Sequence, residues 1–120
     1  MTRNRATAKA AGTRHESSIV AYLAEHVDDR IERRRQTGAR DRGDISGWRY
    51  AGRRIVAECK DYGGRYQVGP WLTEAETERL NDDAQVGLVV AKRRGTQDPG
   101  DQVVILTLRD LVALITGERP

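Results

Sequence analysis

The run VGLVVAK at residues 86–92 restricts the possible folds of this chain more than any other feature. It is the most apolar run of the sequence, and its β-branched residues are typical of a strand buried on both faces of a sheet. A second strand is predicted at 103–108. Helices are predicted at 70–83 and from 109 to the stop signal Gly117. These elements predict an α/β domain in which helices flank a mixed central sheet.

The N-terminal half adds a helix and a small set of strands. Residues 1–12 are small and basic, and we expect them to form a flexible arm before a domain that spans 13–120. Thr13 is a suitable cap for a helix whose apolar residues recur every three or four positions. A short polar strand around 31–35 would lie at a sheet edge. Strands at 43–48 and 53–60, joined by a turn at 50–52, complete the order α-β-β-β-α-β-β-α.

Length and composition indicate the class of protein. The chain has 120 residues, enough for one compact domain with a core. Its single cysteine cannot form an internal disulfide, and no Cys or His cluster indicates structural zinc. No apolar run approaches the length of a membrane span, so we expect an intracellular, cytoplasmic protein without membrane contact.

Basic residues are concentrated in two segments, although the net charge is only +3. Residues 1–15 carry four basic residues and no acid, and residues 30–54 carry nine arginines against three acids. Segregated positive charge is expected of a protein that binds a phosphate backbone, whereas the alternative is a solvated arginine-rich surface. The candidate DNA-binding residues are Arg14, Arg33, Arg34, Arg35, Arg40 and Arg42.

The segment from Gly43 to Lys60 contains charges where a buried strand is expected. In the run IVAECK, Ile55, Ala57 and Cys59 point to one face, and Val56, Glu58 and Lys60 to the other. Asp44, from the neighbouring strand, is expected near the same end. Two carboxylates beside a lysine favour a bound hard cation such as Mg²⁺. The alternative is an exposed Glu58–Lys60 ion pair and a loop-closing Asp44.

This pattern of Gly43-Asp44-Ile45 followed by Ile55-Val56-Ala57-Glu58-Cys59-Lys60 resembles the core signature of the PD-(D/E)XK nuclease superfamily. The Glu-Cys-Lys version is similar to the archaeal-type and phage Holliday junction resolvases. Gly43 stands where the signature usually has proline. The resemblance covers about residues 13–108 and implies a restriction-endonuclease-like domain.

The resemblance also implies a site and an activity. Asp44 and Glu58, the backbone carbonyl of Cys59 and a helical glutamate, Glu16, would bind Mg²⁺, for which Mn²⁺ could substitute. Lys60 would complete the catalytic set. The implied protein is a homodimeric endonuclease that cuts four-way DNA junctions in recombination and repair, cellular or phage-encoded. The alternatives are a related nuclease acting on linear DNA and a noncatalytic DNA-binding protein of the same fold.

Several other residues have a structural and a functional interpretation. Glu16 could instead complete a capping box with Thr13. Gln67 is a further polar candidate, but a loop glutamine is more often simply solvated. His15 and His26 lack a partner at metal-ligand spacing. The Cys59 thiol is expected to be a core side chain. Trp48 and Trp71 are expected in the core or an interface.

Overall fold

The computed structural model describes residues 4–35 and 38–120 of the chain. Within these residues, three helices and six strands follow one another, with a short 3₁₀ turn at Pro99–Asp101. The helices are α1 (Arg5–His26), α2 (Val68–Asn81) and α3 (Leu108–Thr116). The strands are β1 (Glu32–Arg33), β2 (Ile45–Ser46), β3 (Arg49–Tyr50), β4 (Arg53–Lys60), β5 (Val86–Ala91) and β6 (Val103–Ile105).

The strands form one mixed sheet with the order β1-β2-β4-β5-β6, and β3 pairs with the start of β4. Only β4 and β5 are parallel among the described pairs, and α2 provides the crossover between them. Every residue of β5 is buried, as expected of a central strand with helices on both faces. The predicted α/β class with a mixed sheet flanked by helices is therefore confirmed.

The two faces of the sheet pack against different helices. Ile55 and Ala57 of β4 share a core with Ile19 of α1 and Ala113 of α3. On the opposite face, Trp71 and other residues of α2 pack against the second face of β5. This arrangement follows from the alternation of side chains along β4. It places Glu58 and Lys60 on the α2 side and Cys59 on the α1 side.

Helix α1 begins earlier than predicted. It starts at Arg5, and the side chain of Asn4 caps it by accepting a hydrogen bond from the backbone N–H of Thr7. Thr13 is therefore not a cap. It lies within the helix, where its hydroxyl donates to the carbonyl of Lys9. Residues 5–12 of the predicted flexible arm are helical, and residues 1–3 of that arm lie outside the described part of the chain.

Three smaller differences concern strands and buried faces. The two-residue strand β3 adds one strand to the predicted order, and β6 ends at Ile105 because Thr107 already caps α3. The apolar pattern of α2, with Leu72 and Ala75, predicts an inward-facing Leu80, but Leu80 is 64% exposed. Gly117 ends α3 in the left-handed conformation, at φ 83°, as its role as a stop signal requires.

Candidate metal centre

Asp44 and Glu58 meet across the antiparallel pairing of β2 with β4. Ile45 pairs with Ala57. Asp44, the residue just before β2, therefore lies opposite Glu58, the residue after Ala57 in β4. The backbone N–H of Asp44 donates to the carbonyl of Ala57 at 2.9 Å. The backbone N–H of Cys59 donates to Oδ2 of Asp44 at 2.8 Å. The sheet therefore fixes the carboxylate of Asp44 beside the end of β4 that carries Glu58 and Lys60.

Gly43 allows the chain to turn into this position. Its φ of 89° lies in a region that proline cannot adopt, because the proline ring holds φ near −65°. A Cβ atom on this residue would lie 3.0 Å from the carbonyl oxygen of Ala57 and 3.5 Å from Oε2 of Glu78. Proline, the usual residue of the nuclease signature at this position, therefore cannot adopt the backbone conformation that Gly43 has in this chain.

Helix α2 brings two further carboxylates to the same place. Glu74 and Glu78 are four residues apart and thus lie on one face of the helix. Carboxylate oxygens of Asp41, Glu58, Glu74 and Glu78 all lie within 4.8 Å of one another, so this cluster could hold a metal ion. Oxygen ligands of this kind suit Mg²⁺ and similar hard cations. We call these residues the acidic cluster.

Buried oxygen atoms in the acidic cluster fit a cation. Glu78 is 1% exposed and Glu58 is 8% exposed. No N–H of the described residues donates to Oε2 of Glu58 or to either carboxyl oxygen of Glu78, and the hydrogen bond between these two carboxyl groups depends on a proton that they share. Polar atoms buried without a partner are expensive in free energy, and a bound cation would remove that penalty.

The raised pKa values of Glu58, Glu78 and the neighbouring Asp44 also indicate a cation site. Burial raises the pKa of Glu58 to about 7, and the negative charge of Asp44 adds to the effect. Burial and the neighbouring Glu58 raise the pKa of Glu78 to about 11. Burial also raises the pKa of Asp44, although the Cys59 N–H opposes the rise. At neutral pH Glu78 holds a proton and Glu58 is about half protonated, and a metal ion would displace these protons.

Lys60 lies against the acidic cluster and neutralises part of its charge. Its Nζ atom is 2.9 Å from Oε2 of Glu74 and 3.5 Å from Oε1 of Glu58. Burial alone would lower the pKa of Lys60, but the hydrogen bond to Glu74 and the charge of Glu58 raise it. The lysine is therefore charged at neutral pH. Its side chain is 12% exposed, so the alternative of an exposed ion pair with Glu58 is wrong.

Glu16 approaches this site from the α1 side. The capping-box interpretation is wrong, because Thr13 lies in the middle of α1. The carboxylate of Glu16 lies 3.9 Å from Nε of Arg33. Burial raises the pKa of Glu16, as does the nearby charge of Asp44. Glu16 is thus a neighbour of Asp44, but it lies outside the acidic cluster.

Three of the six candidate DNA-binding arginines line one of two cavities, and the other three are exposed at the surface. Arg34 forms an ion pair with Asp82 at 3.1 Å, which occupies part of its guanidinium group. Arg34 and Arg42 line a cavity of about 290 Å³ together with Arg49 and Arg54. Arg33, Arg35 and Arg40 are exposed. Arg14 lines a separate cavity beside α1.

The other residues singled out from the sequence either pack in the interior or lie at the surface. Nε2 of His15 donates to the carbonyl of Val90 at 2.9 Å, so this buried histidine fastens α1 to β5. His26 is exposed and lies beside the ring of Tyr22. Gln67 is exposed and precedes α2 without a side-chain capping bond. The remaining three, Cys59, Trp48 and Trp71, pack against the two cores, as predicted. Burial raises the pKa of the Cys59 thiol.

Sequence reasoning missed Asp41, Glu74 and Glu78. A signal for Glu78 exists, because it continues the inward stripe of α2 that contains Trp71 and Ala75 at helical spacing. An acidic residue on the buried stripe of a helix is unusual unless it is paired or binds a ligand. For Asp41, which lies in a loop, we find no comparable signal.

Comparison with known proteins adds no family. No protein-family model, curated protein or solved structure matches the chain. The resemblance to PD-(D/E)XK nucleases therefore stays a hypothesis that rests on Asp44, Glu58 and Lys60. Within residues 4–35 and 38–120, none of the helices combines the length and apolar character needed to cross a membrane.

Proposed function

We propose that this protein is a Mg²⁺-dependent endonuclease that hydrolyses phosphodiester bonds in branched DNA, with four-way junctions as its substrate. The observation that carries the proposal is the buried pair of carboxyl groups of Glu58 and Glu78, three of whose oxygens have no N–H donor, beside the charged Lys60. Strongly perturbed carboxyl groups next to a lysine are expected where a protein performs chemistry. A protein without a function at this site would be more stable with apolar side chains in place of these buried carboxyl groups.

The proposal gives each site residue a role. Glu58 would hold the cation with Asp41, Glu74 and Glu78 of the acidic cluster. Asp44 and the carbonyl of Cys59, which lie outside that cluster, would be further ligands, with Glu16 beside Asp44. Mg²⁺, or Mn²⁺ in its place, would polarise the phosphate and lower the pKa of a bound water. Lys60, charged and close to Glu58, would stabilise the negative charge that develops on the phosphate.

Contact with the DNA backbone is assigned to the arginines near β1 and β2. Arg42 and Arg49 line the cavity of about 290 Å³, in which Asp82 partly neutralises Arg34 and Arg54. Guanidinium groups bind phosphate oxygens in a bidentate manner. Such contacts follow the shape of the backbone and carry little sequence information, which suits an enzyme that recognises a junction.

A homodimer would place two sites on the two strands of a junction. The outer face of α3 supports this part of the proposal, since Leu108, Leu111 and Ile115 are exposed at a spacing that puts them on one side of the helix. Trp71, the other expected location for the interface, is 2% exposed and is covered by Tyr62 and Tyr66. We therefore assign the dimer contact to α3.

Cleavage assays test the function. The protein is incubated with Mg²⁺ and labelled four-way junction, flap, single-stranded and linear duplex DNA, beside a Glu58→Gln variant. The variant keeps the shape of the side chain and should lose cleavage while retaining junction binding. A Glu25→Gln variant is the matched control, because this carboxylate of α1 is exposed.

Each outcome of the assay selects one function. Preferential cutting of the four-way junction supports the proposal. Equal cutting of all substrates would assign the protein to nucleases of linear DNA. Binding without cutting would indicate a noncatalytic DNA-binding protein, and full activity in Glu58→Gln would reject the acidic cluster as the active site.

A further inference from the structure

A second basic cavity lies between α1 and the loops that follow β4 and β5. Its volume is about 280 Å³, and its cationic lining residues are Arg14, Lys92, Arg93 and Arg94. Asp61 is the one carboxylate among its described lining residues. No member of the acidic cluster lines it. The cavity is therefore a separate site, on the α1 side of the sheet, with an excess of positive charge.

The loop after β5 is held in place by its own hydrogen bonds. Nζ of Lys92 donates to the carbonyl of Arg93 at 2.7 Å. The side chain of Gln102 accepts from the backbone N–H of Arg93 at 2.7 Å and donates to the carbonyl of Asp98 at 2.8 Å. Lys92 and Gln102 thus shape the loop, and the guanidinium groups of Arg93 and Arg94 extend from a fixed backbone.

The opposite wall is fixed as well. His15 binds the carbonyl of Val90 at 2.9 Å, which ties α1 to β5 next to Arg14 in the chain. Nε of Arg94 donates to the carbonyl of Gly63 at 3.4 Å and links the two loops. A preformed site binds with a smaller loss of conformational entropy than a flexible one. Hydrogen bonds therefore fix both walls of this cavity before any ligand binds.

The arginines of the cavity have charge left for a ligand. Four cationic side chains line the cavity against Asp61, its one described carboxylate, so positive charge remains whichever group Asp61 contacts. Asp61 accepts a hydrogen bond from the backbone N–H of Gly63 at 3.0 Å. Guanidinium groups bind phosphate through paired, charge-assisted hydrogen bonds.

We propose that this cavity binds a phosphate group. Its volume lies just below the usual range for small-molecule pockets, about 300 to 1,000 Å³, so it suits a compact anion better than a larger organic ligand. Ala11 is the only apolar side chain among its described lining residues, which also disfavours an apolar ring. The phosphate belongs either to a nucleic-acid backbone or to a free phosphate compound.

The inference does not depend on cleavage at the acidic cluster, and binding is measured without a divalent metal. The full chain, labelled with ¹⁵N, is titrated in EDTA at low salt with pyrophosphate, with inorganic phosphate and with a linear DNA duplex. We expect the amide signals of Arg93, Arg94 and Gly95 to shift on saturation. Shifts with the free anions, or with the duplex alone, identify the source of the phosphate, and both results support the site.

Variants provide the second readout. Arg93→Gln combined with Arg94→Gln should weaken binding at least tenfold, and Arg93→Lys with Arg94→Lys should restore part of it. For DNA, each lost phosphate contact should reduce the slope of log K against log salt by about 0.9. Arg109→Gln is the control, since this exposed residue adjoins Asp110, which contacts the opposite end of β5 at Gly87. Unshifted loop signals with all three ligands, or an equal loss in the control, would overturn the proposal.

Discussion

Glu58 should make the metal-free protein less stable as the pH rises. Its pKa in the folded protein is about 7, compared with an ordinary value of 4.5, because the carboxyl group is buried. The folded state therefore holds a proton that the unfolded chain has already released. Between pH 4.5 and 7 the unfolded state binds fewer protons than the folded state, so the free energy of unfolding decreases as the pH increases.

The size of this effect follows from the two pKa values. Each pH unit between 4.5 and about 7 corresponds to about 1.4 kcal/mol. Because the unfolded carboxyl group is already largely ionised at pH 5, about 2 to 3 kcal/mol should be lost between pH 5 and pH 8. This is a large share of the typical total stability of a domain, about 5 to 15 kcal/mol. Bound Mg²⁺ should restore stability at pH 8, since it replaces the proton.

Urea denaturation at pH 5 and pH 8 in EDTA tests the reasoning. The decrease in the free energy of unfolding should be about 2 to 3 kcal/mol smaller in Glu58→Gln, which cannot ionise, than in the wild type. The difference between the two proteins cancels titrating groups that lie away from Glu58, and it includes any change at Glu78, whose pKa Glu58 raises. Glu25→Gln should behave as the wild type. Equal pH dependence in wild type and Glu58→Gln would refute the raised pKa, and no gain from Mg²⁺ would refute the cation site.

Five further substitutions, two of them controls, probe the structure around the site. Gly43→Ala should destabilise the fold by more than the about 1 to 2 kcal/mol of a left-handed residue, because its Cβ would lie 3.0 Å from a carbonyl of β4. Gly38→Ala, with open space at a similar φ, should show only that backbone cost in the same melts. Ile45→Ala, at a fully buried position, should lose about 2 to 5 kcal/mol. The exposed Leu80→Ala should change unfolding by less than about 0.5 kcal/mol. Lys60→Gln should abolish cleavage and raise the pH midpoint of the stability loss above about 7, since the lysine charge lowers the pKa of Glu58.

The central strands could be predicted from sequence because their patterns are local. The run at 53–60 alternates between an apolar and a charged face, and β4 has these bounds in the structure. The prediction that Glu58 and Lys60 share one face followed from the alternation of side chains along the strand, without knowledge of any partner strand. The apolar run of β5 needed no periodicity, since both faces are covered by helices.

The start of α1 could not be predicted from apolar periodicity. Residues 5–12 contain alanine, arginine and lysine, which favour helices strongly, but they bury little beyond Ala11 and so give no stripe. Their small and basic composition also fits a flexible arm. The cap at Asn4 decides between the two, because its side chain satisfies the backbone N–H of Thr7.

Glu78 gives the strongest reason to regard the acidic cluster as a binding site. A helix that served only to cover β4 and β5 would carry an apolar residue at this position, which is 1% exposed and lies in the same stripe as Trp71 and Ala75. Glutamate there buries a carboxyl group against Glu58, where no N–H donates to it and a proton shared with Glu58 keeps the pair together. Local departures from good packing are expected at functional sites. Since a carboxylate oxygen of Glu78 lies within 4.8 Å of an oxygen from each of three other carboxylates, a bound cation is the ligand that would stabilise this arrangement.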